Sequence, residues 1–240
     1  MINPQNLSTE FLRAHETGSR FIPKERALSR SDILDIQSEV MAPLGDVAGF
    51  KVGRQPDGPP ILAPIPARYR VANHGSRAVR DRLGIELEVG FELLRPLPGG
   101  DLPEDIQNYF RPCVVLELVG TRIEGVLAED PDYKFADFQI NAGLVKGNDL
   151  PGWDGSDFGT LNARLLANGA PVLDGETTVP GGSALANLAL LVAHLGTHCG
   201  GLQVGQVVIT GSICGLPYFG PGTEIEGEIE GLGRVTLSLT

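Results

Sequence analysis

Positive charge is the first scarcity in this chain. It carries 19 Lys and Arg against 30 Asp and Glu, a formal net charge of −11. Such an excess repels phosphate backbones and anionic lipid, so neither nucleic acid nor a membrane is an expected partner. An anionic substrate would have to be drawn in locally, by a bound cation or by a few Lys and Arg. Long apolar runs are missing too. The longest, Ala184–Ala193, is about half the roughly 20 residues a membrane helix needs, and no signal-peptide pattern is seen. Cysteine is sparse: Cys113, Cys199 and Cys214 have no metal-ligand spacing and read as buried free thiols in a reducing cytoplasm. There is no Gly-x-Ser-x-Gly elbow, no P-loop and no Gly-x-Gly-x-x-Gly after a strand, so the common hydrolase and nucleotide signatures are lacking. Internal repeats and low-complexity segments are absent as well.

What the chain has in quantity is turn residues, 32 Gly and 18 Pro in 240 residues. They favour short strands over long helices in one domain with a small N-terminal appendage. The most informative stretch is Gly84-Ile85-Glu86-Leu87-Glu88-Val89-Gly90-Phe91. Its period-two alternation predicts a strand with Ile85, Leu87, Val89 and Phe91 on one face. Glu86 and Glu88 share the other, about 6.5–7 Å apart along the strand. Repulsion between such neighbours is relieved by one proton or one cation. A Glu on the wet face of an amphipathic strand is ordinary. The chain even contains a control: Thr223–Glu230 shows the same alternation, turns at Gly231-Leu232-Gly233, and reads as a solvated hairpin. The distinguishing residue is Glu117, alone in the apolar run Val114–Val119, where an unpaired charge is expensive to bury. Three carboxylates from two strands make a hard oxygen site suited to Mg²⁺ or Mn²⁺.

The rest of the chain supplies a frame. Ser8–Ala14 is a helix candidate. Ser29 and Asp32 form a capping pair for a second helix, with Ile33, Ile36, Gln37 and Val40 on one face and an end before Pro43. Val47–Gly53 reads as a strand carrying Lys51, a residue that ordinarily snorkels to the surface. Residues 54–68, rich in Pro and Gly, read as a surface loop of the kind that often forms a lid. Leu102–Phe110 reads as a short helix. Asp137, Gln139 and Asn141 in Phe135–Val145 either face a site or satisfy turn backbone. Asn168-Gly169 predicts a hairpin. Gly181-Gly182-Ser183 starts a helix over Ala184–Leu195 and either holds an anion or is a tight turn. His194 and His198 have a zinc-compatible spacing, but no third ligand accompanies them and they read as a helix end. Val204–Ile209 reads as a buried strand ending at Thr210-Gly211-Ser212.

Taken in order, these residues resemble the 2-keto-4-pentenoate hydratases, a branch of the fumarylacetoacetate hydrolase superfamily that also holds the 4-oxalocrotonate decarboxylases. The resemblance runs from Leu28 to the C-terminus through Gly49-Phe50-Lys51-Val52-Gly53, Glu86-Leu87-Glu88, Leu116-Glu117 with Arg122, Ala136-Asp137 with Asn141 and Gly143, Val207–Ser212, and Pro221-Gly222 with Gly231-Leu232-Gly233. Departures stand at Phe138, where an Asn is usual, at Ser183, and in Pro59–Pro64. The resemblance implies an α+β, mostly β fold: a mixed β-roll over 47–240 with a small helical part over 1–46. It implies a cytoplasmic, homo-oligomeric enzyme of aromatic catabolism with Mg²⁺ or Mn²⁺ on Glu86, Glu88 and Glu117. Lys51, Thr210, Ser212 and Asp137 would be catalytic, and Arg122, Asn141 and Gly211 would bind a 2-oxo acid. The reaction implied is addition of water to a 2-hydroxydienoate or 2-oxo-enoate through an enolate held by the metal. The alternatives are 2-oxo acid decarboxylation, acylpyruvate C–C hydrolysis, or service as an inactive partner subunit in a hydratase–decarboxylase complex.

Overall fold

Two N-terminal helices, α1 (Gln5–Thr17) and α2 (Arg30–Leu44), open the computed structural model, which describes residues 5–240. The start of α2 follows from its sequence. Ser29 accepts a bond from the Asp32 amide, and Asp32 accepts one from the Ser29 amide. Its buried face holds Ile33, Ile36, Gln37 and Val40, as the spacing predicts. The helix does not stop before Pro43 but includes it, in the last turn. A missing amide and a ring clash near a helix end disturb few bonds beyond it.

The strands are β1 (Val47–Gly53), β2 (Ile61–Pro66), β3 (Arg70–Val71), β4 (Gly75–Arg77), β5 (Leu83–Leu93) and β6 (Phe110–Val119). After helix α3 (Pro131–Ala136) come β7 (Asn141–Asp149), β8 (Thr160–Ala167) and β9 (Ala170–Thr178). Helix α4 (Ala184–Leu195) precedes β10 (Val207–Ile209), β11 (Tyr218–Phe219), β12 (Thr223–Ile229) and β13 (Gly233–Leu239). One sheet runs β2-β1-β10-β5-β6-β7-β3, with β11 on the end of β5, and a second runs β4-β13-β12-β8-β9. This is the mostly β, mixed arrangement with a helical N-terminal part that the sequence led us to expect.

Several expectations need correction. Residues 54–68 are not wholly loop, because β2 pairs antiparallel with β1, Pro64 opposite Phe50. Prolines cannot donate to a ladder, and β2 lies at the sheet edge, where one side needs no donor. Leu102–Phe110 forms a single 3₁₀ turn at Ile106–Asn108, too short to bury a helical face. Pairing around β10 starts at Val207, and Val204 is 53% exposed. Cys113 is buried, but Cys199 and Cys214 lie in connecting turns and are partly exposed.

The two faces of β5 have different work. Ile85, Leu87, Val89 and Phe91 join the main core, where Leu87 and Leu116 approach Gly227 of the second sheet. Beside the opposite face, in the same sheet, lies a smaller cluster that includes Ala48, Ile65, Cys113, Val115, Val207 and Ile209. This packing among neighbours in one sheet accompanies the burial of Glu88 and Glu117. It depends on β1 and β10 running parallel at close range, Lys51 opposite Ile209. A Cβ on Gly49 would stand 1.9 Å from the Val207 carbonyl oxygen, so the strand before Lys51 can approach only as glycine.

Candidate active site

The site forms where β1, β10, β5 and β6 lie side by side. Glu86 and Glu117 are direct cross-strand partners in the β5–β6 pairing, and Glu88 is two residues along from Glu86 on the same face. One carboxylate oxygen from each of Glu86, Glu88 and Glu117 lies within 4.8 Å of the other two. Glu88 is 1% exposed and Glu117 is fully buried, while Glu86 keeps some access to solvent.

Each buried carboxylate is fixed by a neighbour. Gly211 donates its backbone amide to Glu88 Oε2 at 2.6 Å. Gly211 has φ 107°, and a Cβ there would meet Pro180 Cγ at 2.9 Å, so this donor needs glycine. Asn141, itself fully buried, donates Nδ2 to Glu117 Oε1 at 2.8 Å, and Lys51 Nζ reaches the same oxygen at 2.5 Å. Lys51 therefore points into the protein and does not snorkel outward.

The charges do not balance. Burial, and then the Glu117 charge, raises the Glu86 carboxyl from 4.5 to about 7. The same two causes, with Glu86 added, push Glu88 well above the usual carboxylate range. Burial alone would lower the Lys51 ammonium, but Glu117, Glu86 and Glu88 together raise it. Three carboxylates against one ammonium leave an excess of negative charge in a poorly solvated place. Glu117 Oε2 is moreover buried without a hydrogen-bond partner. A hard divalent cation answers both conditions, so these three residues fit such an ion.

A cleft opens beside the triad, lined by Lys51, Glu86, Glu88, Val119, Gln139, Ile140, Gly211, Ser212 and Leu216 among others. Ser212 donates its hydroxyl to the Gly215 carbonyl at 2.6 Å. Of the other residues singled out in the sequence, Thr210 is buried and its hydroxyl donates to the Val89 carbonyl at 2.8 Å. Arg122 and Asp137 are joined to each other. Nε donates to Asp137 Oδ1 at 2.5 Å, the Arg122 amide to Oδ2 at 2.8 Å, and an Arg122 terminal nitrogen to the Asp137 carbonyl at 2.9 Å. Neither Thr210, Arg122 nor Asp137 lines the cleft.

The Arg122–Asp137 clamp has a visible consequence. Phe138, Gln139 and Ile140, which follow it, all lie in the left-handed region, with φ 51°, 51° and 54°. Such a conformation costs non-glycine residues on the order of 1 kcal/mol or more each and persists only where neighbours enforce it. The enforcement comes from the clamp, from Ile140 donating to the Asp137 carbonyl at 2.7 Å, and from Gly120 donating to the Ile140 carbonyl at 2.8 Å. Phe138 is fully buried, its ring centroid 5.1 Å from that of His15. The turn delivers the Gln139 carbonyl to Lys51 Nζ at 3.3 Å and puts Gln139 on the cleft wall. In the sequence Gln139 was one polar residue among three, because a run of left-handed non-glycine residues has no compositional signature.

The remaining candidates fall elsewhere. His194 is exposed and near its own helix backbone, and His198 contacts Gln37 at 2.8 Å, so the two do not form a ligand pair. The glycine-rich start of α4 is occupied from within: Asp157 accepts from Ser183 Oγ and from the Leu185 amide.

No protein-family model matches the chain. Among solved structures it is similar over its whole length to 4-oxalocrotonate decarboxylase from Pseudomonas putida G7, complexed with calcium and acetate. The TM-score is 0.81 at 20% identity, with 100% of this chain and 99% of the other covered. It is also similar to fumarylpyruvate hydrolase from Pseudomonas aeruginosa in complex with Mn²⁺ and pyruvate, at TM-score 0.58 and 18% identity over 80% of this chain and 88% of the other. A third is 2-hydroxyhepta-2,4-diene-1,7-dioate isomerase from Mycobacterium marinum, at 0.58 and 15% over 81% and 75%. The fold is therefore the fumarylacetoacetate hydrolase type that the sequence resemblance implied.

Proposed function

We propose that the chain is a divalent-metal-dependent lyase of the fumarylacetoacetate hydrolase superfamily that adds water to a 2-hydroxydienoate or 2-oxo-enoate. The observation that carries this reading is the triad of Glu86, Glu88 and Glu117, with two carboxyls pushed upward and Glu117 Oε2 without a partner. Mg²⁺ or Mn²⁺ held there would act as a Lewis acid toward the substrate's carboxylate and 2-oxo oxygens and stabilise the enolate. The chain's own groups do the rest. Gly211 and Asn141 fix Glu88 and Glu117, so ligand geometry is set before substrate arrives. Lys51 is the cation on the cleft wall and stands where negative charge develops on the substrate oxygens. Ser212, on the same wall, orients the substrate. Arg122 and Asp137 act at one remove, by holding the turn at 138–140.

Decarboxylation of a 2-oxo acid is the second reading, favoured by the full-length similarity to 4-oxalocrotonate decarboxylase. Both reactions pass through one enolate, so the three ligands do not choose between them. Acylpyruvate hydrolysis is less supported, because among the described residues no histidine lines the cleft to activate water. The test is a calorimetric Mn²⁺ titration with activity on a panel of 2-hydroxydienoates and acylpyruvates. One Mn²⁺ site and hydration of a dienoate are expected, both lost in Glu88→Gln with the fold retained, since an amide offers an oxygen without charge. Unchanged Mn²⁺ affinity in that variant would sink the triad. Release of CO₂ without hydration selects the decarboxylase, and metal binding with no turnover selects the inactive partner subunit.

A further inference from the structure

The cleft wall offers few polar groups, and most are already committed. Lys51 Nζ is bound to Glu117 and to the Gln139 carbonyl, Ser212 Oγ donates to the Gly215 carbonyl, and the Gly211 amide is bound to Glu88. Val52, Val119, Ile140 and Leu216 bring no side-chain polar atom. Apart from the carboxylates of Glu86 and Glu88, assigned above to the cation, what remains is the Gln139 side chain, whose Oε1 is buried without a hydrogen-bond partner. A buried amide oxygen without a partner is unfavourable, having lost its water and gained nothing in return. Here it sits on a turn that is itself strained over three residues and clamped by Arg122 and Asp137. Two independent irregularities, one in the backbone and one in hydrogen bonding, meet at one residue beside the triad. Backbone strain of this kind collects at functional sites.

We infer that the Gln139 amide holds the water that adds to the substrate. An amide oxygen accepts a hydrogen bond but takes up no proton at neutral pH, so its role is to place the water oxygen. After the dienol ketonises, gaining a proton at C5 and losing its hydroxyl proton to solvent, the water oxygen bonds C4 of the resulting 2-oxo-3-enoate as one water O–H bond breaks and its proton passes to solvent. The C3=C4 electron pair moves toward C2 and its oxygen to give the enolate. C3 then takes a proton from solvent in place of the one the water gave up, and the net change is one water across C3=C4. Decarboxylation and C3 proton exchange involve the same enolate but need no placed water, so Gln139 separates the first reading from the second. The inference rests on the hydratase reading above.

The experiment follows wild type, Gln139→Ala and Gln139→Gly. The glycine variant tolerates the left-handed backbone and so guards against misfolding. Three quantities are read on each: Mn²⁺ affinity by calorimetry, exchange of C3 protons of 2-oxopentanoate in D₂O by NMR, and hydration of 2-hydroxypenta-2,4-dienoate. Both variants should bind Mn²⁺ and exchange C3 protons within about threefold of wild type and lose hydration turnover by on the order of 10²-fold, the usual scale for removing one positioning hydrogen bond. Hydration within about threefold of wild type overturns the inference. So does a parallel fall of exchange and hydration, which would mean that Gln139 supports the enolate or the turn and not the water. If wild type exchanges no C3 protons, the enolate reading itself fails before any substitution and the inference fails with it.

Discussion

Strands β5 and β12 carry the same alternation of acidic and apolar residues and have opposite fates. In β12 the apolar residues Ile225 and Ile229 enter the core while Glu224 and Glu226 face solvent, and Glu228 meets Arg234 at 3.1 Å across the hairpin. In β5 the apolar face enters the same core, yet Glu88 on the acidic face is buried as well, among side chains of the sheet neighbours β1, β6 and β10. Alternation decides which side of a sheet a residue takes. It leaves open whether that side meets water or packed side chains, and that packing is what turns a pair of ordinary carboxylates into a crowded anionic site.

The comparison can be broken most forcefully at Lys51, the cation that compensates the β5 side. The sequence suggested that Lys51→Ala would harm turnover far more than stability. With Lys51 Nζ at 2.5 Å from a fully buried Glu117, both should fall. Removing one partner of a buried pair leaves the other charge uncompensated, a loss of about 3–5 kcal/mol. Turnover should fall by about 10²–10⁴ for loss of the charge-stabilising group. Added Mn²⁺ should restore much of the stability, because the ion replaces the missing positive charge near Glu117. Thermal melting with and without metal checks this. A melting point that is lowered equally in both conditions would show that Lys51 supports the strand and not the carboxylates.

Much of this was legible in the chain. Glu117 stood out because an acid inside an apolar run has no bland explanation, and it led to the triad. The reciprocal Ser29–Asp32 cap, the Asn168-Gly169 hairpin and the β12–β13 turn follow from local chemistry alone, and the structure contains them. What was not legible depends on distant partners. β2 was hidden because prolines in a strand are excluded unless the strand is an edge, and edges are set by topology. The roles of Arg122 in binding substrate and of Asp137 in catalysis came from the family resemblance. Their mutual clamp becomes visible only once residues 120–122 and 137–140 are brought together. The left-handed run 138–140 is imposed by that clamp and by the buried Phe138, and so it leaves no mark on composition.

A smaller effect sharpens the comparison through pH. The Glu86 carboxyl is raised to about 7 in the fold from an ordinary 4.5. A raised carboxyl binds its proton more tightly folded than unfolded, so stability is greatest below about pH 4.5 and is lost as pH rises toward 7. At about 1.4 kcal/mol per unit this amounts to at most about 3.5 kcal/mol. Metal-free protein should therefore melt at lower temperature at pH 7.5 than at pH 5.5, and Glu86→Gln should flatten that slope. Saturating Mn²⁺ should reverse it, because the ion competes with the proton. A wild-type slope that survives the substitution unchanged would place the titration elsewhere.

The smallest effect is expected on β12, and it is the one that most directly tests whether position and not pattern makes the site. Glu226→Gln and Glu228→Gln change residues that copy the β5 spacing, yet Glu226 is exposed and Glu228 has a solvent-accessible arginine as its partner. An exposed ion pair contributes about 0–1 kcal/mol, and isolated surface changes fall within about 0.5 kcal/mol. Their backbone hydrogen bonds, from Glu226 opposite Thr236 and Leu166 and from Glu228 opposite Arg234 and Arg164, are untouched by an amide for a carboxylate. Each variant should melt within a degree or two of wild type, bind Mn²⁺ with the same affinity and turn over at the same rate. Loss of activity comparable to that of Glu88→Gln would mean that the functional carboxylates lie on the second sheet, and the geometry of the triad would then have to be explained as structure alone.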